Sequence, residues 1–169
     1  MLRPRAGAGR NDRRRQRRRR GHDVHGRTAG AGAGREPAVT GLGVLLVDDE
    51  REFTTALAKV LRRRGFEVTV AEGGEAALGR VAERAFDAVV LDVKMPDRDG
   101  LDVLSEIKRR SPATEVILLT GHRSVVDERD GLRTGAAAYL LKPHPIPDLV
   151  ARIEAAAARS RAARGGGGA

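Results

Sequence analysis

The stretch Ala88-Val89-Val90-Leu91-Asp92-Val93-Lys94-Met95-Pro96-Asp97-Arg98-Asp99-Gly100 reads as a short apolar strand that ends on a carboxylate and runs into a Pro/Asp/Gly loop. A run such as Ala88 to Leu91 is the pattern of a strand buried on both faces of a parallel sheet. At its end, Asp92 stands at the carboxyl edge, where an open α/β sheet exposes its ligand crevice. An Asp that serves as a nucleophile needs such a place, reachable by a partner and held by a rigid scaffold. Alone, the stretch favours a plainer reading, a strand whose Asp merely starts a turn. The rest of the chain decides between them.

Working outward, Val44 to Val47 is a second apolar strand, and it ends in Asp48-Asp49-Glu50. Phe53, Leu57, Val60 and Leu61 follow at helical spacing, and Gly65 closes that helix. Residues 67–71 alternate as a strand, and an Ala-rich helix passes through Ala77, Leu78 and Val81. The opening strand spans Asp87 to Asp92, and Leu101, Leu104 and Ile107 mark a helix that stops before Ser111-Pro112. Val116 to Thr120 is the fourth strand, with Gly121 opening a loop. A helix poor in apolar residues runs from about Ser124 to Thr134, ended by Gly135. Ala138 to Lys142 is the fifth strand, broken by Pro143 and Pro145. A last helix starts near Pro147, a first-turn proline, with Leu149, Val150 and Ile153 on its apolar face. Five alternations of strand and helix imply a three-layer α/β domain, a parallel sheet covered on both faces by right-handed crossovers.

Composition bounds what such a domain can be. The chain has 169 residues, enough for one domain with a real core. It has no cysteine, which excludes disulfides and thiolate metal sites and fits a reducing compartment. No apolar run reaches the roughly 18 residues of a membrane span, and no apolar segment follows the basic start as in a secretory signal. The net charge of +9 resides in residues 1–41, which hold 12 Arg against Asp12, Asp23 and Glu36. Residues 42–169 are balanced.

That extension has almost no large apolar side chain (Leu2, Val24, Val39), so we expect 1–41 to be disordered. The Arg13–Arg20 run offers phosphate attraction without aromatic stacking, so a solvated tail is the favoured reading over nucleic-acid binding. The segment 30–34 has no strand before it and no helix after it, which makes it a linker rather than a dinucleotide loop. Residues 42–160 form the expected domain and 161–169 a flexible Gly-rich tail.

In a parallel sheet all strand carboxyl ends share one edge. Four of the five strands finish there on chemically useful groups: Asp48 and Asp49, Asp92, Thr120, and Lys142. Three carboxylates together repel one another and favour a hard divalent cation with oxygen ligands, such as Mg²⁺. A lysine and a hydroxyl opposite it complete the donors around a phosphoryl group. The chemistry is phosphoryl transfer onto a carboxylate. Singly, each residue has a bland role: Asp48 and Asp49 as helix caps, Thr120 as an ordinary strand residue, Lys142 as a solvated end, Tyr139 as a half-buried core aromatic. Jointly, chance would have to place all of them at one edge.

Over about residues 43–160 the chain resembles the receiver domain of bacterial two-component response regulators. The resemblance rests on Asp48-Asp49, on Leu91 to Gly100, on Thr120-Gly121, and on Tyr139-Leu140-Leu141-Lys142-Pro143. It implies a flavodoxin-like (βα)5 fold with strand order 2-1-3-4-5, and a cytoplasmic protein without enzymatic turnover of external substrates. Asp92 would accept phosphate from a sensor histidine kinase or a phosphotransfer protein. Asp49, Asp92 and the backbone carbonyl of Lys94 would hold Mg²⁺, with Asp48 acting through water. Lys142 would pair with Asp92 and then with the phosphoryl oxygens. Thr120 and Tyr139 would switch, biasing the surface of the fourth helix, fifth strand and fifth helix toward an unidentified downstream protein. The Lys142-Pro143 peptide looks like the family's cis bond.

The chain departs from the family pattern at His144, where a large apolar residue is common, and at Ala138, commonly acidic. Lys94 and His122 occupy the variable positions that flank the site. The four histidines have no metal spacing and read as surface residues. Two rivals remain: a relay intermediate or fragment of a larger regulator whose Arg tail binds nucleic acid, and an Asp-nucleophile phosphohydrolase of the haloacid-dehalogenase type. The second needs an Asp-x-Asp pair, and Lys94 stands where the second carboxylate belongs.

Overall fold

A computed structural model describes residues 41–166. The Arg-rich extension, apart from Gly41, lies outside the described residues. Ten elements alternate without interruption: β1 (Gly43–Val47), α1 (Arg51–Arg63), β2 (Glu67–Ala71), α2 (Gly74–Glu83), β3 (Ala88–Leu91), α3 (Gly100–Arg110), β4 (Glu115–Thr120), α4 (Val125–Thr134), β5 (Ala138–Leu141) and α5 (Ile146–Gly165). All strand pairs are parallel and the order is β2-β1-β3-β4-β5. The expected three-layer, flavodoxin-like architecture is therefore present.

The apolar alternation of each central strand feeds two separate core layers. Val44, Leu46, Val90, Ile117 and Leu119 face α1 and α5, where Leu57, Leu61, Leu149 and Ile153 pack on them. Leu45, Val47, Val89, Leu91, Val116 and Leu118 point the other way, onto Leu78 of α2 and Val103, Leu104 and Ile107 of α3. Burying one such Leu or Ile contributes about 1.5–3 kcal/mol, so β1, β3 and β4 anchor the sheet while β2 and β5 form its edges.

α4 is the exception that its weak apolar pattern foretells. It approaches the sheet through Gly131, where an added Cβ would meet the Leu118 side chain. Val126 and Leu132 stay exposed at 56% and 47%. Ser124 caps its start by accepting from the Asp127 N–H at 3.1 Å, and Gly135 ends it at φ 105°, a left-handed conformation suited to glycine.

The C-terminus corrects one expectation. α5 continues to Gly165, five residues beyond the boundary placed at 160. Its last turns have little apolar content, but Arg161 and Arg164 both reach Asp87, which immediately precedes β3. Arg161 also donates to the Gly41 carbonyl at 2.6 Å. Ion pairing to a residue 74 and 77 positions earlier holds the helix where the local sequence suggests a tail.

Candidate phosphoacceptor site

The groups at the carboxyl edge are placed by backbone as much as by side chains. Each strand ladder extends one residue past the strand proper: Asp48 N–H donates to the Ala71 carbonyl (3.2 Å), Asp92 N–H to Val47 (2.9 Å) and Lys142 N–H to Thr120 (2.8 Å). Each chemically important residue is thereby pinned by a neighbouring strand while its side chain stands on the rim. Asp48 and Asp92 are buried (3% and 6% exposed), whereas Asp49 is exposed.

One oxygen of each of Asp48, Asp49 and Asp92 lies within 4.8 Å of the others, so the structure brings together the three carboxylates singled out in the sequence. Their partners are unequal. Asp48 Oδ1 accepts from the Glu50 N–H (2.9 Å) and Oδ2 receives Lys142 Nζ at 2.5 Å. Among the described residues Asp92 Oδ1 has only the Lys94 N–H, at a long 3.4 Å. Burial pushes the Asp48 carboxyl above its usual range; the Lys142 and Glu50 contacts oppose this without cancelling it, and neighbouring Asp92 adds to it.

The loop after β3 is shaped by a close approach. A Cβ on Gly100 would collide with the Asp92 carbonyl oxygen and lie 2.6 Å from Val93 Cα, so the start of α3 is packed directly under the site. Asp99 caps that helix, accepting from Leu101 N–H at 2.9 Å. Lys94 extends from the same loop between Asp99 (3.5 Å) and Asp127 of α4 (3.3 Å).

Lys142 differs from the expected pairing with Asp92. Its ammonium sits between Asp48 and Glu50 Oε1 (3.0 Å), 4.3 Å from the centre of the Phe53 ring. Burial alone would lower its pKa, but hydrogen bonds to Asp48 and Glu50 outweigh this and hold it raised, so it is a cation. The turn after β1 offers two carboxylates, Asp48 and Glu50, to one ammonium.

Thr120 is fully buried, and its Oγ1 accepts from the His122 N–H at 3.3 Å. The Tyr139 hydroxyl donates to the His122 carbonyl at 3.0 Å. Burial, with Asp127 and Glu128 nearby, holds the phenol above its ordinary pKa, so it stays a donor. Both proposed switch side chains thus meet on the backbone of His122, a link the sequence did not reveal. The Lys142-Pro143 peptide is cis. His144 is not a plain surface residue: it is half-buried and bonded to Asp148, which also receives Arg152 at 2.8 Å. Glu50 and Phe53, the neighbours of Lys142, were also missed; their role depends on side-chain direction between residues far apart in sequence, 92 positions for Glu50.

Comparison with known proteins agrees with this geometry. The family model of the response regulator receiver domain matches residues 44–154. The transcriptional regulatory protein CpxR of Klebsiella pneumoniae is 45% identical over 117 residues, which cover 69% of this chain and 50% of that protein. ZraR of Escherichia coli O157:H7, also a transcriptional regulatory protein, is 41% identical over 117 residues, 69% of this chain and 26% of its own length. The chain thus spans half or less of these curated relatives. A crystal structure of a response regulator from Burkholderia pseudomallei, with a phosphorylated aspartic acid, calcium ion and citrate, is similar at 25% identity and a TM-score of 0.65, covering 76% of each chain. With its strand order, its acidic rim and a family match over most of the described residues, the chain belongs to the response regulator receiver domain family.

Proposed function

We propose that this receiver domain takes up a phosphoryl group on Asp92 and acts as the phosphorylatable element of a two-component system. The observation that carries the reading is the contrast within the acidic rim. Asp92 is buried beside two other carboxylates and a lysine, yet among the described residues its side chain holds only one long N–H contact. A carboxylate kept desolvated and weakly bonded is available to attack.

In the transfer, an Asp92 oxygen forms a bond to phosphorus as the phosphohistidine P–N bond breaks. The departing imidazole keeps that electron pair and is left as a neutral histidine after taking a proton. Lys142 is near enough to the rim to meet the charge on the transferred oxygens, and Thr120 offers its hydroxyl from β4. The rim fits a hard divalent cation: its donors are carboxylate oxygens, and the Lys142 ammonium engages Asp48 rather than Asp92. Asp49, Asp92 and the Lys94 carbonyl would hold Mg²⁺, with Asp48 through water, and Mg²⁺ supplies charge neutralisation for the incoming phosphoryl group. This chain's catalysis is confined to gaining and losing its own phosphate.

The output reading rests on α4. This helix is joined to the rim by Lys94–Asp127, the loop before it is joined to β5 by the Tyr139–His122 bond, and the helix presents Val126 and Leu132 to solvent. Phosphate on Asp92 adds charge and strong acceptors beside Thr120 and Lys94, and so biases the α4, β5 and α5 surface. A histidine kinase or phosphotransfer protein is the donor, and a downstream protein the recipient. The transcriptional regulatory role named for CpxR and ZraR would extend to this chain as a fragment of such a regulator. A cytoplasmic location is consistent with the described helices, none of which is long and apolar enough to cross a membrane.

The test is incorporation from a small-molecule phosphodonor with Mg²⁺. Acid-stable, base-labile phosphate is expected in the wild type and lost in Asp92→Asn. Label of the same lability in that variant would reject Asp92 as the acceptor.

A further inference from the structure

We infer that Glu50 is a positioning residue that parks Lys142 away from Asp92 and releases it when the phosphoryl group arrives. The inference rests on the phosphoacceptor reading of Asp92 and deepens it. Lys142 Nζ has two carboxylate partners on the turn after β1: Asp48 Oδ2 at 2.5 Å and Glu50 Oε1 at 3.0 Å. The Phe53 ring, in the first turn of α1, lies 4.3 Å from the same nitrogen. All three contacts draw the ammonium toward the β1 side of the rim. An ammonium has three donors, and a cation–π contact with Phe53 occupies the direction that the two carboxylates leave. To meet an oxygen on phosphorylated Asp92, Lys142 has to give up a partner.

The two partners differ in what holds them. The Asp48 side chain is 4% exposed, and its other oxygen is fixed by the Glu50 N–H, so it cannot follow or retreat. The Glu50 side chain is 63% exposed and makes no other side-chain hydrogen bond among the described residues. An exposed ion pair of this kind is weak, and its loss changes an equilibrium only about two- to fivefold. Glu50 is therefore the contact that yields. It biases the resting protein toward a parked lysine without locking it there. Phosphate uptake then breaks the Lys142–Glu50 pair and leaves Lys142–Asp48 in place.

The test uses the full chain with Mg²⁺ and acetyl phosphate. Glu50→Gln is expected to speed label uptake about two- to fivefold. Glu50→Asp, which keeps the charge, should restore a rate closer to wild type. Glu52→Gln is the control for general charge, because Glu52 is exposed on α1 and does not pair with Lys142; its rate should equal the wild-type rate. A spectroscopic readout separates positioning from mere stability. The Lys142 ¹⁵Nζ resonance should differ between wild type and Glu50→Gln in the resting protein and coincide once beryllofluoride and Mg²⁺ occupy the rim. Equal uptake rates in wild type and Glu50→Gln, or a resonance difference that persists with beryllofluoride, would overturn the inference while Asp92 labelling stands. An equal acceleration by Glu52→Gln would also overturn it. Absence of label from the wild type would instead remove the Asp92 reading and this one together.

Discussion

β3 carries an aspartate at each end, and the two are equally buried: Asp87 and Asp92 are both 6% exposed. Asp87 is crowded with donors. It accepts from the Gly43 N–H at 2.8 Å and from Arg161 at 3.0 and 3.2 Å, and it bonds Arg164 as well. Burial pushes its carboxyl up, but Arg161, the Gly43 N–H and Arg164 together outweigh this and hold it below the usual range. Asp92 has two carboxylates for neighbours and one long N–H contact. The same residue type on the same strand is a clamp at one edge and an unsatisfied acceptor at the other. Burial of a charge therefore says little until its partners are counted. A satisfied acid marks structure and a deprived one marks chemistry.

The comparison breaks most visibly in stability. Asp87→Ala strands the part-buried Gly43 N–H and frees two arginines, and should cost about 2–3 kcal/mol in urea unfolding. Asp92→Asn removes a charge from a repelling cluster and should leave stability unchanged or raise it by about 1 kcal/mol in the absence of divalent cation. If both variants lose the same amount, the two ends are alike and the contrast fails. Added Mg²⁺ sharpens it: at about 100 times its dissociation constant a ligand of the folded state stabilises by about 2.7 kcal/mol. That gain should appear in the wild type and in Asp87→Ala, and shrink in Asp49→Asn.

Gly100→Ala tests the backbone packing under Asp92. Overpacking of this kind costs about 1–3 kcal/mol and should also slow phosphate uptake, since the collision is with the Asp92 and Val93 backbone. The smallest effect is on pH dependence. The folded pKa of Asp87 is depressed, so its contribution is present above the unfolded carboxylate pKa and lost as pH falls through the folded value. The folded pKa of Asp48 is raised, so it costs stability at neutral pH and that cost fades as the group is protonated on acidification. Asp87→Asn should therefore flatten the acid-side loss of stability in denaturation curves measured without divalent cation, and Asp48→Asn should steepen it.

Much of this was legible in the residues because a parallel sheet turns sequence order into spatial coincidence. Asp48 with Asp49, Asp92, Thr120 and Lys142 close four apolar runs, and a chain that lays such runs in parallel must bring their ends to one edge. What stayed hidden depends on side-chain reach rather than on pattern. Lys142 selects Asp48, Glu50 and Phe53, a choice set by the direction of a flexible side chain beyond its strand. The last turns of α5 carry Arg, Ala and Gly, which read as a tail; their anchor is Asp87, far off in sequence and silent in any local window.

The central claim is that the deprived end of β3, and not the satisfied end, receives phosphate. The most direct measurement compares wild type, Asp92→Asn and Asp87→Asn under one phosphodonor and one Mg²⁺ concentration, scoring base-labile phosphate on protein shown to be folded. The account expects label in the wild type and in Asp87→Asn, and none in Asp92→Asn. Label that survives in Asp92→Asn, or that disappears in a folded Asp87→Asn, would contradict it.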